Sequence, residues 1–467
     1  MLSLASRRLV GGVEAGGLLA GLLPAPAAEA AAPRPSTVLR WSAIAGQTAL
    51  AACISPANDA LHESRMYAMT SLAVHNALNA IEPRYRSYGD PLVRTRGASA
   101  PAAVAAAART VLVATVTELP EMFADCRASA LKVVEDAYAA ELGALPSGAA
   151  TERGVGVGSA AGRAILRLRA GDGSDTPLLV PDYPQGTAPG QWRFTPDRPF
   201  AAGPGWGEVT PFGLRGRAAF HIEPAYRLTS RAYASDFAEV KALGGDGVTT
   251  PSTRTADQTE AARFWLESSP LQWNRIARGA AVTRGLGEWE SARLMALLNM
   301  ALADGYVASL AVKYAHPFWR PVTAIREAAG DGNPSTRPDA TWTPLDVTPP
   351  IPDHDSAHAV EGAAAATVLA RVLGTDGVRF RACSLTLPEG QRCDDPTPRR
   401  RSFTGFWQAA RENADSRVWV GFHFRHAAEV GLDHGRLVAS QVLRTLPPAP
   451  GGAGGVRAGW SRAPLKI

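Results

Sequence analysis

Apolar side chains recur every three or four residues through most of the chain, which is the period of a helix buried on one face. The pattern covers 38–81 with a break near Pro56 and is clearest at 64–81; it is longest at 288–313, where Lys313 stands at the C-terminal end. The same periodicity predicts helices at 101–119, 124–142, 151–169, 231–243, 256–266, 273–278 and 357–373. Alternating strand patterns are nearly absent. The predicted fold class is therefore all-α, with helical bundles and long irregular connections.

Local signals support two of these helix ends. Thr255 and Gln258 have the spacing of a capping box, which would open the helix at 256–266. Gly374 follows the Ala-rich stretch 357–373 and can end that helix. His75 falls within the apolar pattern of 64–81, so we expect it to be a hydrogen-bonded core histidine.

Changes in composition divide the chain into five predicted parts. Residues 1–36 are a leader, 37–190 an N-terminal helical region, and 191–225 a segment rich in Pro, Gly and aromatic residues. Residues 226–446 form a C-terminal helical domain, and 447–467 a disordered Gly/Pro-rich tail. We expect the irregular stretch, which includes Trp192 and Trp206, to pack over a helix bundle without supplying a catalytic residue.

The N-terminal residues resemble an export signal. Arg7 and Arg8 precede an apolar run, and a small-residue pattern follows at 28–30. Paired arginines indicate the twin-arginine route, to the periplasm or the exterior. The alternative is a disordered Ala/Pro leader. No later stretch has enough uncharged apolar residues for a membrane helix, so we expect no integral membrane association.

Charge and cysteine content narrow the function further. The 467 residues carry a net charge of +5, and the only basic run, 399–401, is short, so we expect no nucleic-acid partner. Cys383 and Cys393 could close a short disulfide loop, whereas Cys53 and Cys126 could be paired or be free thiols. Neither spacing is that of a metal site.

Three short blocks carry the candidate chemistry. Lys313 is followed seven residues later by Arg320-Pro321, and the second block is Ser356-Ala357-His358 at a predicted helix start, after the proline-rich segment 350–352. In the third block, Arg417 is followed six residues later by His423. Three cations, a hydroxyl and free N–H groups at a helix start suit an oxyanion. Asp355 or Ser356 could cap that helix.

In this order and spacing, the blocks resemble the superfamily that unites vanadium-dependent haloperoxidases with type 2 phosphatidic acid phosphatases and bacterial acid phosphatases. The flanking segments 319–326 and 349–353 are similar to the bacterial haloperoxidase-like branch. The resemblance is specific over 313–435 and looser over 38–443. It implies the helical fold of that superfamily.

The resemblance also implies a role for each residue. Lys313, Arg320 and Arg417 would hold the oxygens of vanadate, with the Ser356 hydroxyl and the Ala357 N–H completing the cradle. His423 would ligate vanadium in a haloperoxidase or attack phosphorus in a phosphatase. His358 would be the acid–base group on the opposite side of the oxyanion.

Three positions depart from the family pattern. Ala357 replaces a glycine, which is harmless provided that its φ is negative. Asp355 replaces a proline and brings a carboxylate near the anion site. The aspartate expected four residues beyond His423 is Ala427, and Glu429 or Asp433 could take over its task of orienting the histidine. His316, His354 and His426 lie in or beside the blocks and most simply make supporting hydrogen bonds.

These residues leave three functions open. The first is a vanadate-dependent haloperoxidase that uses hydrogen peroxide, halide and a small organic acceptor, and length favours it because some two thirds of the chain precedes Lys313. The second is an acid phosphatase that cleaves phosphomonoesters through a phosphohistidine, without vanadate. The third is an oxyanion-binding protein with weakened catalysis. A homodimer is compatible with all three.

Overall fold

A computed structural model describes residues 35–215 and 222–449, and thirteen α-helices make up most of these two ranges. Their bounds are α1 Thr37–Ala51, α2 Ala60–Ile81, α3 Ala100–Thr117, α4 Ala124–Gly143, α5 Ala149–Arg169, α6 Arg231–Leu243, α7 Ala256–Phe264, α8 Ser269–Thr283, α9 Glu288–Ala315, α10 Pro321–Glu327, α11 Ala357–Leu373, α12 Phe406–Trp419 and α13 Arg425–Val442. The prediction of an all-α fold with long irregular connections is confirmed.

Strands are confined to two small antiparallel pairs within the described ranges. β1 Leu179–Val180 pairs with β2 Ala201–Ala202, and β3 Phe380–Ala382 pairs with β4 Arg401–Phe403. They close loops, and Ala382 and Phe403 of the second pair are buried at the edge of the main core.

The predicted helix signals are present, although the periodicity did not single out every helix. Thr255 and Gln258 form the predicted capping box of α7. Gly374 ends α11 in a left-handed conformation with φ of 75°. Helices α10, α12 and α13 were not individually predicted. His75 is buried and its Nε2 lies 3.0 Å from the Arg86 carbonyl oxygen, as expected of a core histidine.

Helix α9 is the central helix of the fold. It is apolar on all sides and packs against α1, α2, α8, α11 and α13, which explains why so little of it reaches the surface. By length and hydropathy alone, α3 and α9 could each cross a membrane, but most of each lies buried among other helices. Because α9 runs through the core, Lys313 in its last turn is buried inside the protein.

Helices α11 and α13 approach each other at backbone distance. A Cβ atom at Gly435 would lie 2.1 Å from the Val360 carbonyl oxygen, and one at Gly431 would lie 2.8 Å from the Ser356 carbonyl oxygen. Only hydrogen fits at these positions, and the backbone of α11 cannot move aside without the rest of the core. This contact fixes the start of α11, where the second sequence block lies.

The irregular segment and the disulfides fasten the surface of the fold. Trp192 is buried, and its N–H donates to the Pro317 carbonyl oxygen at 3.0 Å, so the segment packs on helices as expected. Cys383 and Cys393 form a disulfide. Cys53 and Cys126 are also paired, which settles the alternative that the sequence left open.

Some predictions fall outside the described residues. The export signal and nearly all of the leader lie in residues 1–34, and most of the predicted tail lies in 450–467. The proposed domain boundaries remain predictions.

The contact at Gly435 generates a test of the fold. We expect Gly435→Ala to lower the free energy of unfolding by about 1–3 kcal/mol, because the added methyl group overpacks a rigid backbone contact. Urea denaturation followed by circular dichroism measures this. Gly156→Ala on α5 is the matched control, since its Cβ would meet nothing within 4 Å. It should be neutral or slightly stabilising through helix propensity. Equal stability of the two variants would contradict the packing argument.

Candidate functional site

Lys313 enters the interior from the last turn of α9. Its side chain is fully buried, and Nζ donates to the carbonyl oxygens of Pro352 at 2.9 Å, Asp353 at 3.0 Å, and Asp355. Burial, reinforced by the charge of Arg320, lowers the pKa of Lys313 to about 7. The lysine is therefore held by the loop that leads into α11.

Arg320 immediately precedes α10 and is also fully buried. Its Nε donates to the Ile351 carbonyl oxygen at 2.6 Å, and Nη1 donates to the Phe422 carbonyl oxygen at 2.9 Å and to His423 Nε2 at 2.8 Å. Nη2 has no partner among the described residues. Burial lowers the pKa of Arg320 to about 10. Arg320 thus joins the first block to the third and keeps a free donor.

The start of α11 presents Ser356 and Ala357. The Ser356 N–H donates to the Ala427 carbonyl oxygen at 2.8 Å, which anchors the helix start to α13. The Ser356 hydroxyl is buried without a partner in the described parts of the chain. Ala357 is helical, so its φ meets the condition set for replacing glycine. No side chain caps α11, and Ala359 and Val360 donate to the Ser356 carbonyl oxygen, so the N–H groups of Ala357 and His358 remain available to an anion.

The expectation that Asp355 or Ser356 caps α11 is wrong. Asp355 instead turns away from the helix start. Its Oδ1 accepts from Ser309 Oγ at 2.7 Å, and its Oδ2 lies 2.6 Å from His434 Nδ1, all three residues being buried. Burial alone would raise the pKa of Asp355, but pairing with His434 outweighs it and lowers the pKa below the ordinary value. The carboxylate at this position, where the family has proline, is thereby paired with His434 and directed away from the anion site.

His358 is the second residue of α11. Its Nε2 is buried and has no partner among the described residues. The Glu267 backbone holds the ring, and Asn413 Nδ2 donates to the His358 carbonyl oxygen at 3.0 Å. Burial and then the charge of Arg417 lower the pKa of His358 well below its ordinary value. It is therefore a neutral imidazole with one free nitrogen.

Arg417 comes from the last turn of α12. It is 1% exposed, and its Nη2 donates to the Trp265 carbonyl oxygen at 2.8 Å and to Ser416 Oγ at 2.8 Å. Burial, followed by the charge of Arg320, lowers its pKa to about 9. The turn between α7 and α8 thus orients both Arg417 and His358 through backbone carbonyls.

A tight turn after α12 brings His423 back to these cations. Gly421 has φ of 84°, and a Cβ there would lie 2.7 Å from the Gly244 carbonyl oxygen, so the turn requires glycine. The His423 N–H then donates to the Arg417 carbonyl oxygen at 3.2 Å. Burial and the Arg320 charge lower the pKa of His423 well below its ordinary value.

A carboxylate that the sequence analysis did not assign lies beside His423. Asp353 Oδ1 is 3.0 Å from His423 Nδ1, and Asp353 is 1% exposed. The substitutes suggested from the sequence do not fit, because Glu429 and Asp433 are exposed and Asp433 pairs with Arg436. Asp353 stands within the proline-rich block, but no local pattern relates it to a histidine 70 residues away.

The three neighbouring histidines have separate surroundings. His316 is exposed at the end of α9. His354 stacks on His426 with ring centroids 5.2 Å apart, and His426 stacks on Tyr226 at 4.3 Å. Their Nε2 atoms lie 2.6 Å and 3.0 Å from the carbonyl oxygens of Glu223 and Pro224, so both make the expected supporting hydrogen bonds.

The combined electrostatics fit an oxyanion. Lys313, Arg320 and Arg417 are buried cations, and none of them forms an ion pair with a carboxylate in the described ranges. The unpartnered buried groups include Arg320 Nη2, Ser356 Oγ and His358 Nε2. Uncompensated buried charge is costly, so a multiply charged anion is the ligand that these groups best accommodate. Vanadate and phosphate both satisfy this requirement.

Part of the chain is similar in sequence to a known protein family. Residues 293–447 match the family described as the VCPO second helical-bundle domain. The vanadium chloroperoxidase of Curvularia inaequalis is 26% identical over 245 residues, which is 41% of this chain. The matched region spans only 40% of the length of that relative.

Solved structures share the fold over nearly the whole chain. One described as the first bacterial vanadium-dependent iodoperoxidase has a TM-score of 0.69 at 22% identity, covering 88% of this chain and 96% of its own. A holo-type bacterial vanadium-dependent chloroperoxidase has a TM-score of 0.65 at 17% identity, covering 89% and 97%. All the predicted site residues lie within the matched domain. Residues 293–447 therefore match the vanadium chloroperoxidase domain model, and the chain as a whole has the fold of the bacterial vanadium-dependent peroxidases of known structure.

Proposed function

We propose that this protein is a vanadate-dependent haloperoxidase, which uses hydrogen peroxide to oxidise halide to hypohalous acid that then halogenates an organic acceptor. The observation that carries the proposal is the group of three buried cations without carboxylate partners around His423. The named relatives are vanadium peroxidases, which favours vanadate over other oxyanions of similar shape. Vanadate, when bound, supplies the centre at which peroxide is activated toward halide.

Each residue has a definite task in this proposal. Lys313, Arg320 and Arg417 neutralise the oxygens of the anion, and Arg320 does so with the Nη2 that has no partner. The Ser356 hydroxyl and the α11 N-terminus donate further hydrogen bonds. Together these groups compensate the anion charge in a site that excludes bulk water, where each interaction is stronger than at the surface.

The two histidines act from different elements. His423 Nε2 accepts from Arg320, which has only donors, so Nε2 is unprotonated; its lone pair would bind the metal of the anion in place of the hydrogen bond from Arg320. His358 is neutral with a free Nε2, so it can accept a proton from peroxide or water at the site. Arrival of a negative ligand offsets the neighbouring cations and raises the pKa of both rings, which assists that proton uptake.

An acid phosphatase is the second candidate. The same lone pair on His423 could attack phosphorus, and the cradle suits phosphate as well as vanadate. The third candidate, an oxyanion-binding protein with weakened catalysis, is suggested by the departures at Asp355 and Ala427, and the structure accounts for both. Asp355 is partnered by His434, and Asp353 supplies a carboxylate beside His423.

The remaining parts of the proposal concern the surroundings of the enzyme. Two disulfides are typical of an oxidising compartment, which supports export by the twin-arginine route. A groove of about 370 Å³ beside α10 is lined in part by Val322, Arg326 and Thr348 and contains none of the predicted site residues.

The paired assay that distinguishes the candidates is bromination of a phenolic dye with peroxide and added vanadate, alongside hydrolysis of p-nitrophenyl phosphate without vanadate. We expect vanadate to restore bromination and phosphate to inhibit it competitively. His423→Ala should reduce bromination below detection, because the bond to the anion is lost. His316→Ala, an exposed histidine, is the control and should retain activity. Phosphate hydrolysis alone would favour the phosphatase, and inactivity in both assays would favour the binding protein.

A second prediction concerns pH. Lys313 loses its proton above a pKa of about 7, and Asp353, whose pKa burial raises to about 7, becomes negative over the same range. Both changes weaken anion binding, so the affinity for sulfate, whose charge is constant from pH 6 to 9, should fall as pH rises. Loss of a single proton gives at most about a tenfold decrease per pH unit. Isothermal titration calorimetry measures it.

Two lysine variants test this assignment. Lys313→Met should bind sulfate more weakly, with a shallower pH slope that reflects Asp353 alone. Lys132→Met, which removes an exposed lysine on α4, should match the wild type at every pH. A wild-type affinity that is constant between pH 6 and 9, or a full slope in Lys313→Met, would show that Lys313 does not titrate at the anion site.

A further inference from the structure

His423 needs a group that fixes its ring, and the chain does not supply that group at position 427. Ala427 is 1% exposed and contributes its carbonyl oxygen to the Ser356 N–H. Glu429 and Asp433 lie on the exposed face of α13. The orienting group must therefore come from another element.

Asp353 is held where it can take that role. Its N–H donates to the Phe318 carbonyl oxygen at 2.9 Å, and its own carbonyl oxygen accepts from Lys313 Nζ at 3.0 Å. The backbone on either side of the side chain is thereby fixed by the first sequence block. Asp353 Oδ1 is buried, lies 3.0 Å from His423 Nδ1, and makes no aligned hydrogen bond to any described residue.

The second nitrogen of His423 determines where the ring proton sits. Arg320 Nη1 is 2.8 Å from Nε2 and 3.3 Å from Nδ1, so Nε2 is its closer acceptor. Arginine has only donors, which means that Nε2 carries a lone pair. In a neutral imidazole the proton is then on Nδ1, the atom that faces Asp353.

We propose that Asp353 is the positioning residue of His423, with its carboxylate accepting the Nδ1 hydrogen and holding Nε2 toward the oxyanion. The proposal rests on the proposed function for the identity of that oxyanion. Carboxylates that hold a ligating histidine in this way fix its tautomer and increase its basicity. The 3.0 Å contact is already within hydrogen-bond distance, and catalytic hydrogen bonds commonly become aligned only when a ligand binds.

The carboxylate that positions His423 comes from the loop before α11 and not from α13. An aspartate at 427 would reach His423 from the helix that follows it, whereas Asp353 reaches it from the segment that also carries the contacts of Lys313 and Arg320. One loop therefore holds two cations and the histidine together. Removing the carboxylate should disturb His423 without removing a cation from the site.

The first arm of the test needs neither vanadate nor activity. A histidine Nδ1–H bonded to a carboxylate gives a far-downfield proton NMR signal, and His423→Gln assigns it. We expect this signal in the wild type on the alkaline side of neutrality, and we expect it to be lost in Asp353→Ala. Asp236→Asn is the matched control, because Asp236 is a buried carboxylate that bonds Tyr226 and the His426 N–H but does not contact His423. It should keep the signal.

The second arm measures vanadate affinity by calorimetry and then kinetics. We expect Asp353→Asn to weaken vanadate binding by about 10- to 100-fold, the usual effect of losing a group behind a metal-binding histidine. Asp353→Glu should recover part of the affinity, and Asp236→Asn should stay within about twofold of the wild type. With saturating vanadate, kcat in Asp353→Asn should fall more than KM for halide rises.

The outcomes separate the two proposals. A wild type that binds no oxyanion defeats the proposed function, while the NMR arm still decides whether Asp353 holds His423. A downfield signal that persists in Asp353→Ala, or wild-type vanadate affinity in folded Asp353→Asn, overturns the positioning role. Equal losses in Asp353→Asn and Asp236→Asn also overturn it, because they indicate a general effect of buried carboxylates.

Discussion

The site is organised by positive charge that the protein does not neutralise. Lys313, Arg320 and Arg417 are each removed from water, and their hydrogen bonds go to carbonyl oxygens, the Ser416 hydroxyl and the His423 ring in place of carboxylates. Carbonyl dipoles orient a cation but leave its net charge in place. The consequence is visible in the lowered pKa values of all three groups, for which burial is the first cause in every case. The fold must be stable enough to tolerate this electrostatic cost until an anion offsets it.

Close helix packing is what makes that tolerance possible. The cations come from α9, α12 and the residue before α10, and α11 brings the free N–H groups to the same point. Close backbone contacts fix the positions of these elements. Gly435 approaches the α11 backbone, and Gly421 forms the tight turn after α12. A looser bundle would let water in and let the cations separate. Glycine and alanine therefore support the chemistry because they let the helices pack closely, which restricts movement of the elements that carry the cations.

Much of this arrangement was predictable because it depends on local sequence. The all-α fold follows from helical periodicity, and the capping box at Thr255 is a pattern of four residues. The cations and histidines were recognised from three ordered blocks. Their convergence was implied by the family resemblance and not by any local pattern, since Lys313 and His423 are 110 residues apart. The structure brings Lys313, Arg320 and His423 together through the loop at 350–355.

What escaped prediction depends on tertiary contacts or on backbone atoms. The carbonyls of Trp265 and Glu267 orient Arg417 and His358, and a carbonyl has no residue signature. The pairing of Asp355 with His434 joins the loop before α11 to α13, a contact that is not evident from periodicity. Cys53 and Cys126 likewise pair across 73 residues.

The two departures at positions 355 and 427 have a common physical explanation. A carboxylate near buried cations is harmful when it competes with the anion and useful when it is directed to a histidine. Asp355 is directed to His434, and Asp353 faces His423, so each acid lies beside an imidazole and not in an ion pair with Lys313, Arg320 or Arg417. The cations therefore stay free for the ligand, although two aspartates stand within four residues of the first residue of α11. Net positive charge at the anion site is preserved by where the side chains point, and this is why substitutions that depart from the family sequence remain compatible with its chemistry.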